Sequence, residues 1–427
     1  MGFRVAPLPT RCLSLSSYDD GSLLTQPVLS RIYSRPNWAE VSLSALCHNF
    51  HTLQQHVGAG VTLCSVVKCD AYGHGYAECA RALEQEGARW FGVTSTDEGV
   101  ALRDCGIIGR VLILVGAWRG EEEDVLRYSL TPAISRVEEL ASFGRAAKHL
   151  RNTKPVAVHL KIDTGMHRLG LPLAELETFV DELQRTPEIE LEGVFSHLAS
   201  SEVLDDGRTQ DQIRRFDEAL QTLARHGLHP PIRHLANSSA AIARPDTRHN
   251  FVRPGLAIYG YQLPAVKYDG AMADRAPLLD LHPVLQWKTR TISLRDVEAG
   301  QALGYGGTYT TREPSRIAVI AAGYGDGYSR KHSYPHNGHS GDGAEGKSRS
   351  SVLVRGQRAP VLGRVSMDTT IVDVSHIQGC EIGDDVTLIG RSGEEEITAW
   401  DLARWSDTLP YEVLCNLSER VLRRYVD

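Results

Sequence analysis

A chain of 427 residues, 42% of them hydrophobic, is larger than one ordinary core and reads as a globular protein of more than one domain. Its 46 basic and 53 acidic side chains leave a formal charge of −7 with no Lys/Arg-rich block, so it lacks the electrostatic footprint of a nucleic-acid binder. No apolar run approaches the length of a membrane span, so neither nucleic acid nor membrane is an expected partner. The eight cysteines (Cys12, Cys47, Cys64, Cys69, Cys79, Cys105, Cys380 and Cys415) form no CxxC pair and no compact zinc-like cluster; reduced thiols and a cytoplasmic location are expected.

Residues 1–35 carry Arg4, Arg11, Arg31 and several serines but no long apolar core, and the acidic pair Asp19-Asp20 weakens a transit-peptide reading. They are expected to be a flexible extension, with organelle import as the alternative. From Thr62 onward, short apolar runs alternate with longer amphipathic ones, the rhythm of βα units. The strands are expected at Thr62–Val67, Trp90–Thr94, Val111–Val115, Leu130–Ile134, Val156–Ile162, Leu191–His197, Ile232–Ala236 and Phe251–Tyr259. Helical patterns fall between most of them, such as Val137–Leu150, Leu173–Arg185 and Arg208–His226, where Phe216, Leu220 and Leu223 share a face. Eight strands in this order predict an α/β fold, a (β/α)₈ TIM-like barrel over residues 36–280. After Leu281 the pattern changes to β-branched runs with turn punctuation: Thr289–Leu294, Arg316–Ala321, Ser351–Val354, Thr369–Val374 and Asp385–Ile389. Residues 281–427 therefore read as a mostly β domain, with His336–Ser350, rich in Gly, Ser and charge, as a surface loop insertion.

Barrels carry their chemistry at the carboxyl ends of the strands. There the sequence offers Lys68, closing the first strand before the polar Gly73-His74-Gly75 turn, and Lys161 to Arg168 after the fifth. His197 follows on the sixth strand, His234 with Asn237-Ser238 on the seventh, and Arg253-Pro254-Gly255 on the eighth. A crowded lysine loses its proton readily and condenses with a carbonyl, so Lys68 is a candidate Schiff-base amine; the plainer alternative is a strand-end lysine paired with Asp70. Two chemistries compete for the constellation. Metal-assisted hydrolysis would use a carbamylated Lys161 with His197 and His234, but lacks the early HxH ligands such sites need. Aldehyde-cofactor chemistry needs an amine, a phosphate cradle and a group facing the cofactor ring. Ser238 with the Gly255-Leu256 turn, and the phenols of Tyr72 and Tyr411, suit a phosphate; the plainer readings are a helix N-cap for Ser238 and core packing for the tyrosines.

The run Ser65-Val66-Val67-Lys68-Cys69-Asp70-Ala71-Tyr72-Gly73-His74-Gly75 resembles the pyridoxal-phosphate lysine motif of alanine racemases, and the resemblance extends from about Pro36 to the C-terminus. It implies pyridoxal 5'-phosphate as cofactor, with Arg253 facing the pyridine nitrogen and His234 supporting it. A guanidinium only donates hydrogen bonds and keeps its proton, so it would leave that nitrogen unprotonated and weaken the ring as an electron sink, which disfavours side reactions. Racemisation needs a base on each face of the α-carbon. The resemblance supplies Lys68 as one and Tyr305, in Gly304-Tyr305-Gly306-Gly307, as the other, delivered by the second subunit of a head-to-tail homodimer with shared active sites. It also implies that Arg168 contacts the cofactor's phenolic oxygen and the substrate carboxylate, and that Lys161, carbamylated in several family members, steadies that arginine. His197 and Asn237 line the ring, Met367-Asp368 help hold the substrate carboxylate, and Tyr324 narrows the access channel. Ser366 stands where many relatives carry cysteine and Leu422 where they carry proline.

The reading is an enzyme that racemises alanine. Serine or broader-specificity racemisation is the alternative, since a hydroxymethyl adds little volume and pockets discriminate such differences weakly. An amino-acid decarboxylase of the same architecture has no use for Tyr305 opposite Lys68, and a non-catalytic carrier of the cofactor needs neither a second base nor a substrate clamp.

Overall fold

The computed structural model describes residues 35–266, 277–334 and 350–427. The N-terminal extension and the His336–Ser350 insertion expected from sequence lie outside these residues, save for Arg35 and Ser350. Eight parallel strands form in the expected order: Thr62–Val66, Trp90–Val93, Arg110–Ile113, Thr131–Ile134, Val156–Asp163, Ile189–Phe195, Ile232–His234 and Phe251–Val252. They curl into a nearly closed barrel. The last strand pairs with the first, and the remaining seam is stitched by the Arg253 N–H to the Ala236 carbonyl (3.0 Å) and an Asn237–Arg253 bridge.

These runs become strands because β-branched and aromatic side chains are buried on both faces, as Val111, Leu112 and Ile113 are. The intervening helices bury one stripe each. Phe216, Ala219 and Leu223 of Gly207–Arg225 face the core, and Asp206 caps that helix by accepting the Arg208 N–H. The eighth strand is much shorter than Phe251–Tyr259. Pro254 has no N–H for the ladder, so the backbone leaves the barrel and coils into a 3₁₀ turn at Leu256–Tyr259.

The second unit is a nine-stranded sheet, mostly antiparallel. Six of its strands close on themselves, because Leu285–Val297 pairs with both Ser315–Ile320 and Asp385–Ser392. Sequence reading placed the chain from residue 36 in the barrel, but the strand Asn37–Ser42 belongs to this second sheet. It lies between Leu285–Val297 and the C-terminal strand Leu422–Val426. A strand at Gln357–Leu362 was not expected because Pro360 interrupts its pattern; it forms a hairpin with Ser351–Val354. The Arg355-Gly356 turn between them holds φ of +51° and +76°, the backbone that two-residue hairpins favour. Helices Ala399–Ser406 and Pro410–Cys415 also escaped sequence reading. The second of them packs back on the barrel mouth.

Barrel and sheet are joined by a buried clamp. The Asn49 side chain, on helix Leu43–Val57, donates to the carbonyls of Ile258 (2.9 Å) and His282 (2.7 Å) and accepts the His282 N–H (2.8 Å).

Candidate functional site

Lys68 sits just beyond the first barrel strand, and the backbone after it does something the sequence did not suggest. Cys69, Asp70, Ala71 and Tyr72 all hold φ near +53°, a full left-handed turn. Each such residue costs about 1–2 kcal/mol relative to a right-handed one. Local bonds offset this. The Cys69 N–H reaches Glu98 Oε1 (2.7 Å), the Tyr76 N–H reaches Asp70 Oδ1 (2.9 Å), and the buried His74 ring bonds the Ala71 and Tyr72 carbonyls at 2.9 Å each. Asp70, given a second side-chain contact by Arg423 at 4.0 Å, is thereby drawn away from the ion pair with Lys68 that the plainer reading required.

The turn presents Tyr72 to the mouth, where its ring lies 5.0 Å from Tyr259 and 6.0 Å from Tyr411 of helix Pro410–Cys415. Burial pushes the Tyr72 phenol well above its ordinary range and Tyr411 to about 12, so both are neutral hydroxyls. Opposite them the Gly255 and Ala257 N–H groups converge on Ser238 Oγ at 2.9 and 3.4 Å. A side chain on Gly255 would meet the Tyr72 hydroxyl at 2.3 Å, so glycine keeps this face open, and Leu256 follows it buried in the 3₁₀ turn. The N-cap of helix Ser238–Ala243 is Asn237, accepting the Ala240 N–H at 3.1 Å, and not Ser238.

Four basic side chains gather around His197, Arg168 among them exposed at the rim. Burial pushes the His197 imidazole down to about 3, helped by the charges of Arg253, Arg168, Lys161 and Lys68. Lys161, buried and donating to the Leu114 carbonyl (3.0 Å), is lowered to about 8 by burial and by Arg253, Arg168 and Lys68. Such a cluster is stabilised by an anionic ligand.

Arg253 anchors a hydrogen-bond chain through the barrel. It donates to His234 Nδ1 (2.9 Å), to the Ser196 and Leu235 carbonyls (2.7 and 3.2 Å), and to His197 Nδ1 (3.3 Å). Because a guanidinium can only donate, His234 must accept at Nδ1 and carry its proton on Nε2. That proton goes to His159 Nδ1 (2.9 Å), leaving His159 Nε2 to donate to Glu192 (3.3 Å). Arg110 closes the chain with a bidentate pair on Glu192, one limb at 2.7 Å. Both ring nitrogens of His234 are therefore engaged, one by Arg253 and one by His159, so it offers no lone pair to a metal pair.

His159, Glu192 and Arg110 were missed from sequence. His159 lies two residues before Lys161 and so shares its face of the strand, a signal that alternation could have supplied. Glu192 had none, because a bulge opposite Val158/His159 turns it inward. Gly193 beside it leaves space for the His159 ring, which an added side chain would meet at 2.6 Å.

The remaining sequence candidates are grouped elsewhere. Tyr305 lies on an exposed 3₁₀ turn, 72% accessible, flanking Arg364. Tyr324 and Met367, at 43% and 51%, lie together through Tyr324 N–H to Ser366 carbonyl and Gly325 N–H to Met367 carbonyl bonds. The Asp368 carboxylate is already paired with Arg420 at 2.6 Å, and its backbone carbonyl accepts from Arg35.

The family model described as the alanine racemase N-terminal domain matches residues 41–263, and that of the C-terminal domain matches residues 284–425. The chain belongs to the alanine racemase family. The alanine racemase of Symbiobacterium thermophilum is 40% identical over 392 residues, covering 92% of this chain and 97% of that one. That of Halothermothrix orenii is 36% identical over 397 residues, 93% and 98% of the two chains. Among solved structures, the alanine racemase of Clostridium difficile 630 superposes with a TM-score of 0.82 at 32% identity, covering 92% and 96% of the chains. Alanine racemases are pyridoxal-phosphate enzymes, and the hydroxyl and N–H groups around Gly255 together with the four-cation cluster fit that phosphorylated, anionic cofactor.

The buried histidines set the acid stability. An unfolded imidazole binds its proton at 6.5, whereas His197 resists protonation to about 3 and His74 to about 4, and His159 and His234 are also lowered, all chiefly by burial. The unfolded chain therefore binds more protons below pH 6.5, so this stability is fully present above 6.5 and falls as pH drops towards 4. Urea midpoints should decline already between about pH 6.5 and 5, above the carboxylate range. His159→Leu should cost about 1–3 kcal/mol at neutral pH by stranding buried partners, and its midpoint should fall less steeply with acid. A flat wild-type profile over this window would contradict the account.

Proposed function

We propose that this chain interconverts L- and D-alanine as a pyridoxal-phosphate-dependent racemase. The observation that carries the reading is the crowding of Lys68, Lys161, Arg168 and Arg253 at the mouth of a barrel of this family, above two neutral phenols and a glycine-cleared cradle. Bound there, the cofactor withdraws electrons from the substrate α-carbon and so makes its proton removable. Lys68 would hold the cofactor through its amine and would move the α-proton on one face. Tyr72, Ser238, Gly255, Leu256 and Tyr411 hold the phosphate; His197 and Asn237 line the ring.

Arg253, an obligate donor whose direction His234 sets, would meet the pyridine nitrogen. Arg168 takes the substrate carboxylate. Lys161, with an amine at about 8, has the free base that carbamate formation requires, and that negative charge would steady Arg168.

The second base is Tyr305 of the partner subunit. Within one chain Tyr305, Tyr324 and Met367 leave large apolar side chains exposed around residues 363–369, a surface that a second copy would cover head to tail. In that arrangement Met367 and the Asp368 backbone help hold the substrate carboxylate, and Tyr324 narrows the access channel. A cytoplasmic location accords with the seven cysteines of the described residues, all free.

Lys68→Ala should abolish the visible absorbance of the covalently held cofactor and with it turnover of L-alanine. Tyr305→Phe should keep that absorbance but slow α-proton exchange of L-alanine in D₂O by about 10²–10⁴-fold, the usual worth of a positioned base; equal exchange would remove Tyr305 from the mechanism. Parallel assays with L-serine decide between a strict and a broad racemase. Mixing inactive Lys68→Ala and Tyr305→Phe chains should restore activity, since a hybrid dimer holds one intact site. No recovery after demonstrated subunit exchange would rule out sharing.

A further inference from the structure

Away from the barrel mouth, three metal-ligating side chains gather where the barrel's first helix meets the segment leading into the second sheet. His48 Nε2 lies 3.6 Å from Asp280 Oδ2, and His282 Nε2 lies 3.3 Å from Asp280 Oδ1. One ligand atom from each of the three groups lies within 4.8 Å of the others. The two imidazoles are nearly parallel, 8° apart with centroids at 4.2 Å.

We propose that His48, Asp280 and His282 form a binding site for a divalent transition-metal ion of the Ni²⁺, Cu²⁺ or Zn²⁺ type. With metal–ligand bonds of about 2.1 Å, the edge of a tetrahedron is about 3.4 Å; each imidazole nitrogen lies near that spacing from one carboxylate oxygen, His48 from Oδ2 and His282 from Oδ1, so the carboxylate offers an oxygen to each ring. Two imidazoles and one carboxylate select this class of ion; calcium and magnesium require mainly oxygen ligands. The Asp280 carbonyl, 2.9 Å from His48 Nε2, is a further oxygen at hand. Coordination replaces the hydrogen bond now joining them, and because the rings are stacked, one imidazole must swing out of the stack for both Nε2 lone pairs to meet one ion, which the exposure of both side chains permits.

The backbone that carries the ligands is already rigid. Asn49, next to His48 on the helix and fully buried, grips both the N–H and the carbonyl of His282. Gly260, at φ +91°, packs so closely that an added side chain would meet the His282 carbonyl at 2.0 Å. His282 is thus held at a fixed distance from the helix bearing His48. A bound ion would tie the barrel to the strap entering the second sheet, so it should act on stability and not on turnover.

The test is calorimetric titration of the untagged holoenzyme with Ni²⁺. One ion per chain should bind, the thermal midpoint should rise with Ni²⁺ concentration, and His48→Ala or His282→Ala should each weaken binding at least about 10-fold. Asp280→Asn should weaken it less, and all three variants should keep racemase activity and cofactor absorbance, which verifies their fold. Cobalt(II) should show imidazole-type absorption without a thiolate charge-transfer band, which separates this site from the Cys69 and Cys415 thiols that hydrogen-bond one another. Absence of binding at millimolar Ni²⁺, affinity unchanged in both histidine variants, or a thiolate band would overturn the proposal.

Discussion

The arrangement that the site depends on is a buried cation made directional. Arg253 lies inside the barrel, where burial lowers even a guanidinium to about 10, and every group around it is arranged to accept its protons. Because it cannot accept in return, the tautomers of His234 and His159 are forced one after the other, and the chain ends on Glu192, whose carboxylate His159 and Arg110 hold below its usual range despite burial. A positive group that must point one way at the mouth is thus tied to a negative one further down the barrel. Aromatic walls shield the line: Phe195 stacks on His234 at 4.5 Å, Phe251 tilts over it at 4.8 Å, and Arg110 lies 4.4 Å above Trp90. Such a network is costly half-made and rigid when complete.

The mouth itself is held by a second device. Four successive left-handed residues after Lys68 bring Tyr72 under the Gly255 turn instead of letting a helix run on directly from the strand. Helix Pro410–Cys415, from the far end of the chain, locks this turn: any side chain at Gly73 would meet the Leu414 carbonyl at 2.2 Å. Lys68 is therefore positioned jointly by a barrel strand and by a helix more than three hundred residues away in sequence. Strain of this kind persists only where surrounding contacts over-determine it.

The second sheet contributes scaffolding to the same end. The C-terminal strand lies at the sheet edge, and Leu422, its first residue, pairs in parallel with Trp38. Ser366 bonds the Thr369 carbonyl at 2.6 Å, so it shapes the loop carrying Met367 and Asp368 by hydrogen bonding.

The sequence by itself determined the eight-strand rhythm, the switch to a β-rich second half and the identity of the groups at the barrel mouth. Periodicity and turn residues act locally, and a strand's carboxyl end is legible once the strand is. It did not disclose where Asn37–Ser42 would pair, because its partners lie about 250 and 385 residues further along the chain. Nor could it show that Glu192 turns inward, since a bulge is decided by the neighbouring strand, or that Tyr305 stays away from Lys68 within one chain. The pattern of one segment fixes its own buried face; which cation lowers which imidazole, and which backbone must run left-handed, depends on groups that only the folded chain brings within bonding distance.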